Sequence, residues 1–424
     1  MNRNEPASSL LCTGIILILS VLTAEGQQAE SWKPSPETSA RLTKSRPEFN
    51  YYEEKVPQYI LPDVLTYASG KKVRSAKQWS GKRRTEVYEM FQTNVFGRVP
   101  ATPYTTSFTI VNEDENAMDG ESTLKQVDIK ILSEGGSLVI HLTLFTPNKE
   151  EKPVPVFLLI DNRGPENTDP ARKIRSEFWP AEEVILRGYG IAVFSNADVD
   201  PDDYDEFRNG IHGILDKGQR TNDSWGTLAA WAWGASRCMD YFETDSDIDA
   251  EKVAVVGHSR GGKTALWAGA ADQRFSMVIA NESGCGGAAL ARRRFGETVA
   301  RINNAFPHWF CLNYKNFAYK EDEMPFDMHM LLALIAPRAL YIDAASEDLW
   351  GDPKGCYLSL FNALPTYRLF KAAGEIPEAM PPLNKQIING NTGFHIRDGS
   401  HDMLLKDWKW FMDFADRVWI KNGN

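Results

Sequence analysis

The chain has 424 residues, 42% of them hydrophobic and 25% charged, a balance that belongs to a folded globular protein and excludes a disordered or fibrous one. Its formal net charge of -10 argues against nucleic acid as a partner, because binding phosphates requires a basic surface. Length alone permits two or three domains, but α/β folds grow as one domain with insertions, so one main domain is expected.

In chain order, Arg3 and a short polar stretch precede an apolar run from Leu10 to Leu22 and the small residues around Ala24-Glu25-Gly26. This is the pattern of a secretory signal peptide over residues 1–26, cleaved near Gly26, and it predicts a secreted or periplasmic protein. The apolar run is about 13 residues long, short of the ~20 that span a bilayer as a helix, so no stable membrane anchor is expected. Residues 27–46 are polar, with Ser, Thr, Pro and Lys, and read as a flexible leader to a single catalytic domain over 47–424.

Val87, Met90, Phe91 and Val95 recur at helical spacing and predict a helix over Arg84–Val95, ended by the breakers from Gly97 to Pro103. The β-rich runs Thr105–Val111, Gln126–Leu132 and Leu138–Thr146 predict an antiparallel front half to a sheet, followed by a buried strand at Val154–Ile160. Beyond Ile160 the pattern alternates. Short continuous apolar runs at Ile191–Phe194, Val253–Val256, Met277–Ala280 and Leu340–Asp343 fit parallel strands buried on both faces. Helical stretches at Trp225–Tyr241 and Lys263–Ala271 lie between them. The fold class is therefore α/β, a three-layer α/β/α sandwich with a mostly parallel central sheet.

The strand-like Val253–Val256 runs into Gly257-His258-Ser259-Arg260-Gly261 and then a helix, the strand-turn-helix setting of a nucleophile elbow. Such a turn strains the serine backbone and brings strand and helix so close that flanking side chains would clash, which explains glycine at 257 and 261. It also aims the N–H of Arg260 at a developing oxyanion. This is the α/β-hydrolase arrangement, with Ser259 as nucleophile.

A serine hydroxyl needs a base, and in this fold the chain order is serine, acid, histidine. His401, in the turn-rich loop between a possible last strand at Gln386–Asn389 and the Trp408–Trp419 helical stretch, is the expected base. His395 is its nearest rival, in a less loop-like stretch that suits a structural histidine. Two carboxylates compete to orient the base: Glu282, at the end of the strand after the nucleophile helix, and Asp348, at the end of the next one. Spacing alone favours Asp348. Removing the leader segment leaves Cys238, Cys285, Cys311 and Cys356, either two disulfides or four free buried thiols. No Cys-x-x-Cys occurs and the histidines are scattered, so no metal is expected.

The elbow through Lys263, together with Asn281-Glu282-Ser283-Gly284-Cys285-Gly286-Gly287, Phe306-Pro307-His308-Trp309-Phe310, Glu347-Asp348-Leu349-Trp350 and Gly399-Ser400-His401-Asp402, resembles the glucuronoyl esterases of carbohydrate esterase family fifteen, particularly bacterial members. The resemblance spans roughly Pro47 to Trp419. It implies a serine esterase without metal or organic cofactor that cleaves lignin-carbohydrate esters, between (4-O-methyl)glucuronate side groups of glucuronoxylan and lignin alcohols. It assigns Ser259 as nucleophile, His401 as base, Arg260 as an oxyanion arginine and Glu282 as the acid, with the Asp348 position used in other members. Lys263, Glu297 and Trp350 fall where the family holds the sugar. Fungal members have Gln at the Glu297 position and Cys at that of His258, so one fungal disulfide is missing. A monomer is expected.

Two other readings stand beside this one. An acetyl xylan or cephalosporin-type deacetylase shares fold and triad but needs no cationic cluster. A carbohydrate-binding protein on a degenerate scaffold would not need an intact Ser259 and His401.

Overall fold

The computed structural model describes residues 1–2, 30–218 and 220–420. The segment expected as a signal peptide, with its cleavage point near Gly26, lies outside the described residues. The front half of the sheet is three long strands, β1 (Thr105–Ala117), β2 (Ser122–Ser133) and β3 (Gly136–Pro147), each antiparallel to the next. β1 is the edge, and Glu113, Asp114 and Glu115 point charge along it, which blunts pairing with another chain.

The apolar runs become β4 (Val154–Asp161), β5 (Gly190–Ser195), β6 (Ile248–His258), β7 (Met277–Asn281) and β8 (Ala339–Ala345). A short β9 (Ile387–Asn389) and β10 (Thr392–Arg397) complete a ten-stranded sheet in the order β1-β2-β3-β5-β4-β6-β7-β8-β10-β9. From β5 to β10 the neighbours run parallel, and β9 closes the far edge antiparallel.

β6 shows why these runs are apolar without alternation. Its successive side chains point to opposite faces of the sheet, and each face has its own core. Val253 and Val255 pack with Leu228, Trp231 and Leu266 of helices Thr227–Phe242 and Arg260–Ala271. Ala254 and Val256 pack with Trp408 and Phe411 of helix Leu405–Ala415. The sheet is covered on both sides, as the sequence predicts.

Two expectations are corrected in detail. The last parallel strand is Thr392–Arg397, with Gln386–Asn389 supplying only its short antiparallel neighbour. The polar His395 masks β10 in the sequence, yet it is fully buried, its ring held by Asp407 at 2.9 Å and Tyr341 at 3.0 Å. Within the expected flexible leader, Pro36–Ser45 is a helix, capped by Ser35 accepting from the Thr38 N–H, with Pro36 and Glu37 suited to its first turn. Leu42, Phe49 and Trp32 pack around Tyr51, Phe295 and Leu349, so this segment belongs to the body of the fold. Of the two alternatives for the cysteines, the second holds: Cys238, Cys285, Cys311 and Cys356 are all free and buried. Among the described residues no helix is long and apolar enough to cross a membrane.

Candidate active site

Four loops meet at the carboxyl edge of the parallel strands, where open α/β sheets place their sites. β6 ends at His258, in register with Asn281 at the end of β7, and β8 ends at Ala345, in register with Arg397 at the end of β10. The residues just beyond these ends are Ser259, Glu282, Asp348 and His401. The sheet register therefore gathers all four sequence-predicted residues before any side chain is considered.

Ser259 takes φ 56° and ψ -120°, a conformation that L-residues avoid, and it caps helix Arg260–Ala271. Its N–H is tied to the Asn281 carbonyl at 2.9 Å, which fixes the turn against β7. A Cβ on Gly257 would lie 2.0 Å from the Gly261 carbonyl oxygen. The crossing of strand and helix thus demands glycine at that position.

His401 Nδ1 lies 2.8 Å from Asp348 Oδ2 and 2.9 Å from Glu282 Oε2. Both candidate acids face the same nitrogen, so the choice the sequence left open is answered by their joint presence. The ring stands 4.6 Å from that of His258, the neighbour of Ser259, and is 42% exposed. With Nδ1 committed to carboxylates, Nε2 is the nitrogen free to take a proton. Burial lowers the pKa of His401, but the hydrogen bonds and charges of Asp348 and Glu282 outweigh it and push it up to about 10. Burial pushes Glu282 up to about 7, against the hydrogen bond from His401.

The two acids are built differently. Glu282 has φ 46° and is buried, its Oε1 accepting from Arg397 at 2.6 Å and its Oε2 from the Asp402 N–H at 3.0 Å. Asp348 caps a single turn, Leu349–Gly351, and among the described residues its carboxylate has one other hydrogen-bond partner, the Gly351 N–H at 3.3 Å. Glu282 is part of the frame, while Asp348 sits on a loop.

The cationic residues after the serine are also located. Arg260 donates to Asp202 and lies over the rings of Trp309, at 4.9 Å, and Phe306, at 5.6 Å. Lys263 is buried, its Nζ donating to the Ser283 carbonyl at 2.7 Å, and burial lowers its pKa. It is no surface lysine. Glu297 donates its N–H to the Trp350 carbonyl at 3.0 Å; burial raises its carboxyl pKa, opposed by the charges of Lys263 and Arg301. Trp350 has Arg46 over its ring at 4.2 Å and Phe49 edge-on at 4.8 Å, so the N-terminal segment already covers part of this ring.

A family model described as glucuronyl esterase of fungi matches residues 129–371, more than half of the chain. The chain belongs to the glucuronoyl esterase family. A carbohydrate esterase, MZ0003, from an unknown prokaryotic organism is 40% identical over 95% of this chain and 97% of its own length. A solved glucuronoyl esterase from Solibacter usitatus is 38% identical with a TM-score of 0.81, over 86% of this chain and all of that one. A 4-O-methyl-glucuronoyl methylesterase from Podospora anserina is 29% identical over 68% of this chain, which spans 56% of that relative. The chain is accordingly a carboxylic ester hydrolase on an α/β-hydrolase fold.

Several residues of this esterase site escape motif reading. Arg397 also donates to the carbonyls of Ser400 and Asp402, both at 2.7 Å, and so shapes the loop that carries His401. Asp343 accepts from the Glu282 N–H at 3.0 Å and from Asn281 at 2.8 Å, and burial first, then the charges of Asp407 and Glu282, hold its carboxyl well above the usual range. Asp202 is one of several aspartates between Asp198 and Asp205, with nothing in the spacing to single it out. His258, Glu282 and His401 bring ligand-type atoms within 4.8 Å of one another. Yet His258 is flanked by Arg163 at 3.0 Å, and Glu282 by Arg397. Two guanidinium groups make this a poor place for a cation.

Proposed function

We propose that this esterase hydrolyses the C6 ester joining a (4-O-methyl)glucuronate side group of glucuronoxylan to a lignin alcohol, through an acyl-enzyme on Ser259. The observation that carries the proposal is the imidazole of His401, fixed by two carboxylates and 4.6 Å from the ring of His258, whose next residues are the strained Ser259 and Arg260.

Ser259 Oγ attacks the ester carbonyl as its proton passes to His401 Nε2, and the carboxylates of Asp348 and Glu282 stabilise the resulting imidazolium. The oxyanion faces the start of helix Arg260–Ala271, whose first N–H groups have no intrahelical partner. In the loop after β4, next to the nucleophile strand, the Arg163 N–H is consumed by Asp161 Oδ1 at 2.8 Å. The Arg260 side chain adds a charged donor to those of the helix start. His401 then protonates the leaving alcohol, and water activated by the same ring releases the glucuronate. Lys263, Glu297 and Trp350 hold the sugar ring.

The test is turnover of benzyl glucuronate by the native chain and by Ser259→Ala. The variant should lose activity by roughly 10⁴-fold or more. Undiminished turnover overturns the mechanism, and a higher rate on 4-nitrophenyl acetate than on methyl glucuronate would favour the deacetylase reading. Such a substrate lies in plant cell walls, which suits export by the Leu10–Leu22 signal-like run. A monomer completes the proposal, and its mass in solution checks it.

A further inference from the structure

β4 runs beside the nucleophile strand, with Ile160 in register with Gly257, so the loop that follows it, Asp161-Asn162-Arg163-Gly164, opens next to the elbow. Arg163 is pinned at its root by its N–H on Asp161, and its guanidinium lies over the buried ring of Phe178 at 4.4 Å. From there the planar fork divides. One arm donates to Asp402 Oδ1 at 2.5 Å, the other to His258 Nε2 at 3.0 Å. Asp402 follows His401 in the chain, and His258 precedes Ser259. One side chain from a third loop thus holds the immediate neighbours of both the base and the nucleophile.

Chemistry fixes the direction of each of these hydrogen bonds. A guanidinium donates and never accepts, so His258 Nε2 is the acceptor and the ring proton sits on Nδ1. Nδ1 donates to Asn281 Oδ1, and Asn281 Nδ2 in turn donates to Asp343 Oδ1 at 2.8 Å. The chain from Arg163 through His258 and Asn281 to Asp343 therefore holds His258 as a neutral ring. Glu282 and His401 also face this ring, and Arg397 acts on it by charge; burial first, then the charges of His401 and Arg163, push its pKa well below the ordinary imidazole range. When His401 takes the serine proton, the ring 4.6 Å away carries no like charge. The charge of Arg163 itself is matched by that of Asp402.

We propose that Arg163 is a positioning residue of the hydrolysis, a bracket that sets the elbow and the His401 loop against each other and occupies the His258 nitrogen that would otherwise compete for the serine proton. The proposal rests on the roles of Ser259 and His401 given above. Arg397 shapes the His401 loop through the carbonyls of Ser400 and Asp402, and the Asn281 carbonyl holds the Ser259 N–H. Arg163 spans the two with one rigid group. A planar fork with donors in fixed directions can do this, whereas an ammonium, a point charge on a flexible stem, cannot.

Turnover of benzyl glucuronate by Arg163→Ala, Asp402→Ala and the double variant tests the bracket. Each single variant is expected to lower kcat about tenfold with KM within about twofold, because alignment of base and nucleophile is realised in the transition state. The double variant should also lose about tenfold, not about a hundredfold, since both substitutions remove the same contact. Arg163→Lys keeps the charge without the fork and should stay at least about fivefold below the native kcat. Nitrogen NMR of the native chain, which needs no variant to fold, should show His258 as the neutral Nδ1–H tautomer. Native kcat in Arg163→Ala, a loss confined to KM, full recovery in Arg163→Lys, costs that multiply in the double variant, or a proton on His258 Nε2 each overturn the bracket. Turnover that survives Ser259→Ala instead overturns the nucleophile assignment on which it rests.

Discussion

The proton that Ser259 gives up goes to a ring whose other nitrogen faces two carboxylates, at 2.8 and 2.9 Å. In a site with one acid, removing it costs about 10⁴-fold in kcat. Here each carboxylate remains to orient the ring when the other is gone. Asp348→Asn and Glu282→Gln are therefore each expected to cost at most about 10²-fold, and the double variant to approach 10⁴-fold, a non-additivity read directly from kcat. The pH profile moves as well. His401 acts as base when neutral, and its raised pKa sets the acid limb of kcat/KM above the ordinary imidazole range. Neutralising either carboxylate removes a raising partner, so the limb shifts to lower pH in both variants. They part in stability: Glu282→Gln strips Arg397 of a buried partner and should cost roughly 3 kcal/mol in urea unfolding, while Asp348→Asn, on its loop, costs less than about 1 kcal/mol. Spacing could name both acids because each follows a recognisable strand end. It could not rank them, because the ranking depends on partners such as Arg397 and Asp343 that come from other strands.

The elbow was legible as an element because a close crossing of strand and helix leaves a chemical mark, glycine at 257 and 261, within a few residues. The strap that holds Arg260 leaves none. Asp202 lies just after the short helix Asn196–Val199 that follows β5, and it accepts from Arg260, from His308 Nε2 at 3.0 Å and from Trp309 Nε1 at 2.7 Å. Burial would raise its pKa, but the bonds from His308 and Trp309 and the Arg260 charge hold it down at about 2. Asp202 is thus ionised throughout the working range and acts as a positioning residue, keeping the guanidinium over the stacked Phe306 and Trp309 rings, 3.7 Å apart. Asp202→Asn is expected to lower kcat on benzyl glucuronate about tenfold with KM within about twofold, since a misaimed donor is lost only in the transition state. Asp202→Glu should recover part of that loss. A raised KM with intact kcat would instead make the strap part of the sugar pocket. β10 and the helix Pro36–Ser45 were misread for a related reason. Their anchors lie in distant elements, Asp407 and Tyr341 for His395 and the Tyr51, Phe295 and Leu349 cluster for Leu42, and such contacts do not show in local periodicity.

At the scale of the whole molecule, a sheet covered on both faces supplies the core, and among the described residues no disulfide staples it. Four cysteines would pair as disulfides in an oxidising compartment on number alone, yet here the thiols of Cys238, Cys285, Cys311 and Cys356 serve as small core residues. Cys238 is fully buried on helix Thr227–Phe242, Cys285 on the loop beyond Glu282, Cys311 after Phe310 and Cys356 on helix Pro353–Leu369. Burial pushes the Cys311 thiol up to about 11 and the other three well above their ordinary range. The thiolate is the reactive form, so none of the four should react with a disulfide reagent at pH 8 while the fold is intact. The folded chain beginning at Ser31 is expected to titrate no thiol with such a reagent, and four once unfolded in guanidinium chloride. Because no disulfide joins the described residues, a reductant should leave Tm unchanged within about 2 °C, whereas losing even one native disulfide would cost about 2–5 kcal/mol. A titre below four after unfolding, paired with a lower Tm under reduction, would mean that oxidation reaches residues that this core keeps from solvent, and that the packing around Cys285, three residues from Glu282, must open for it.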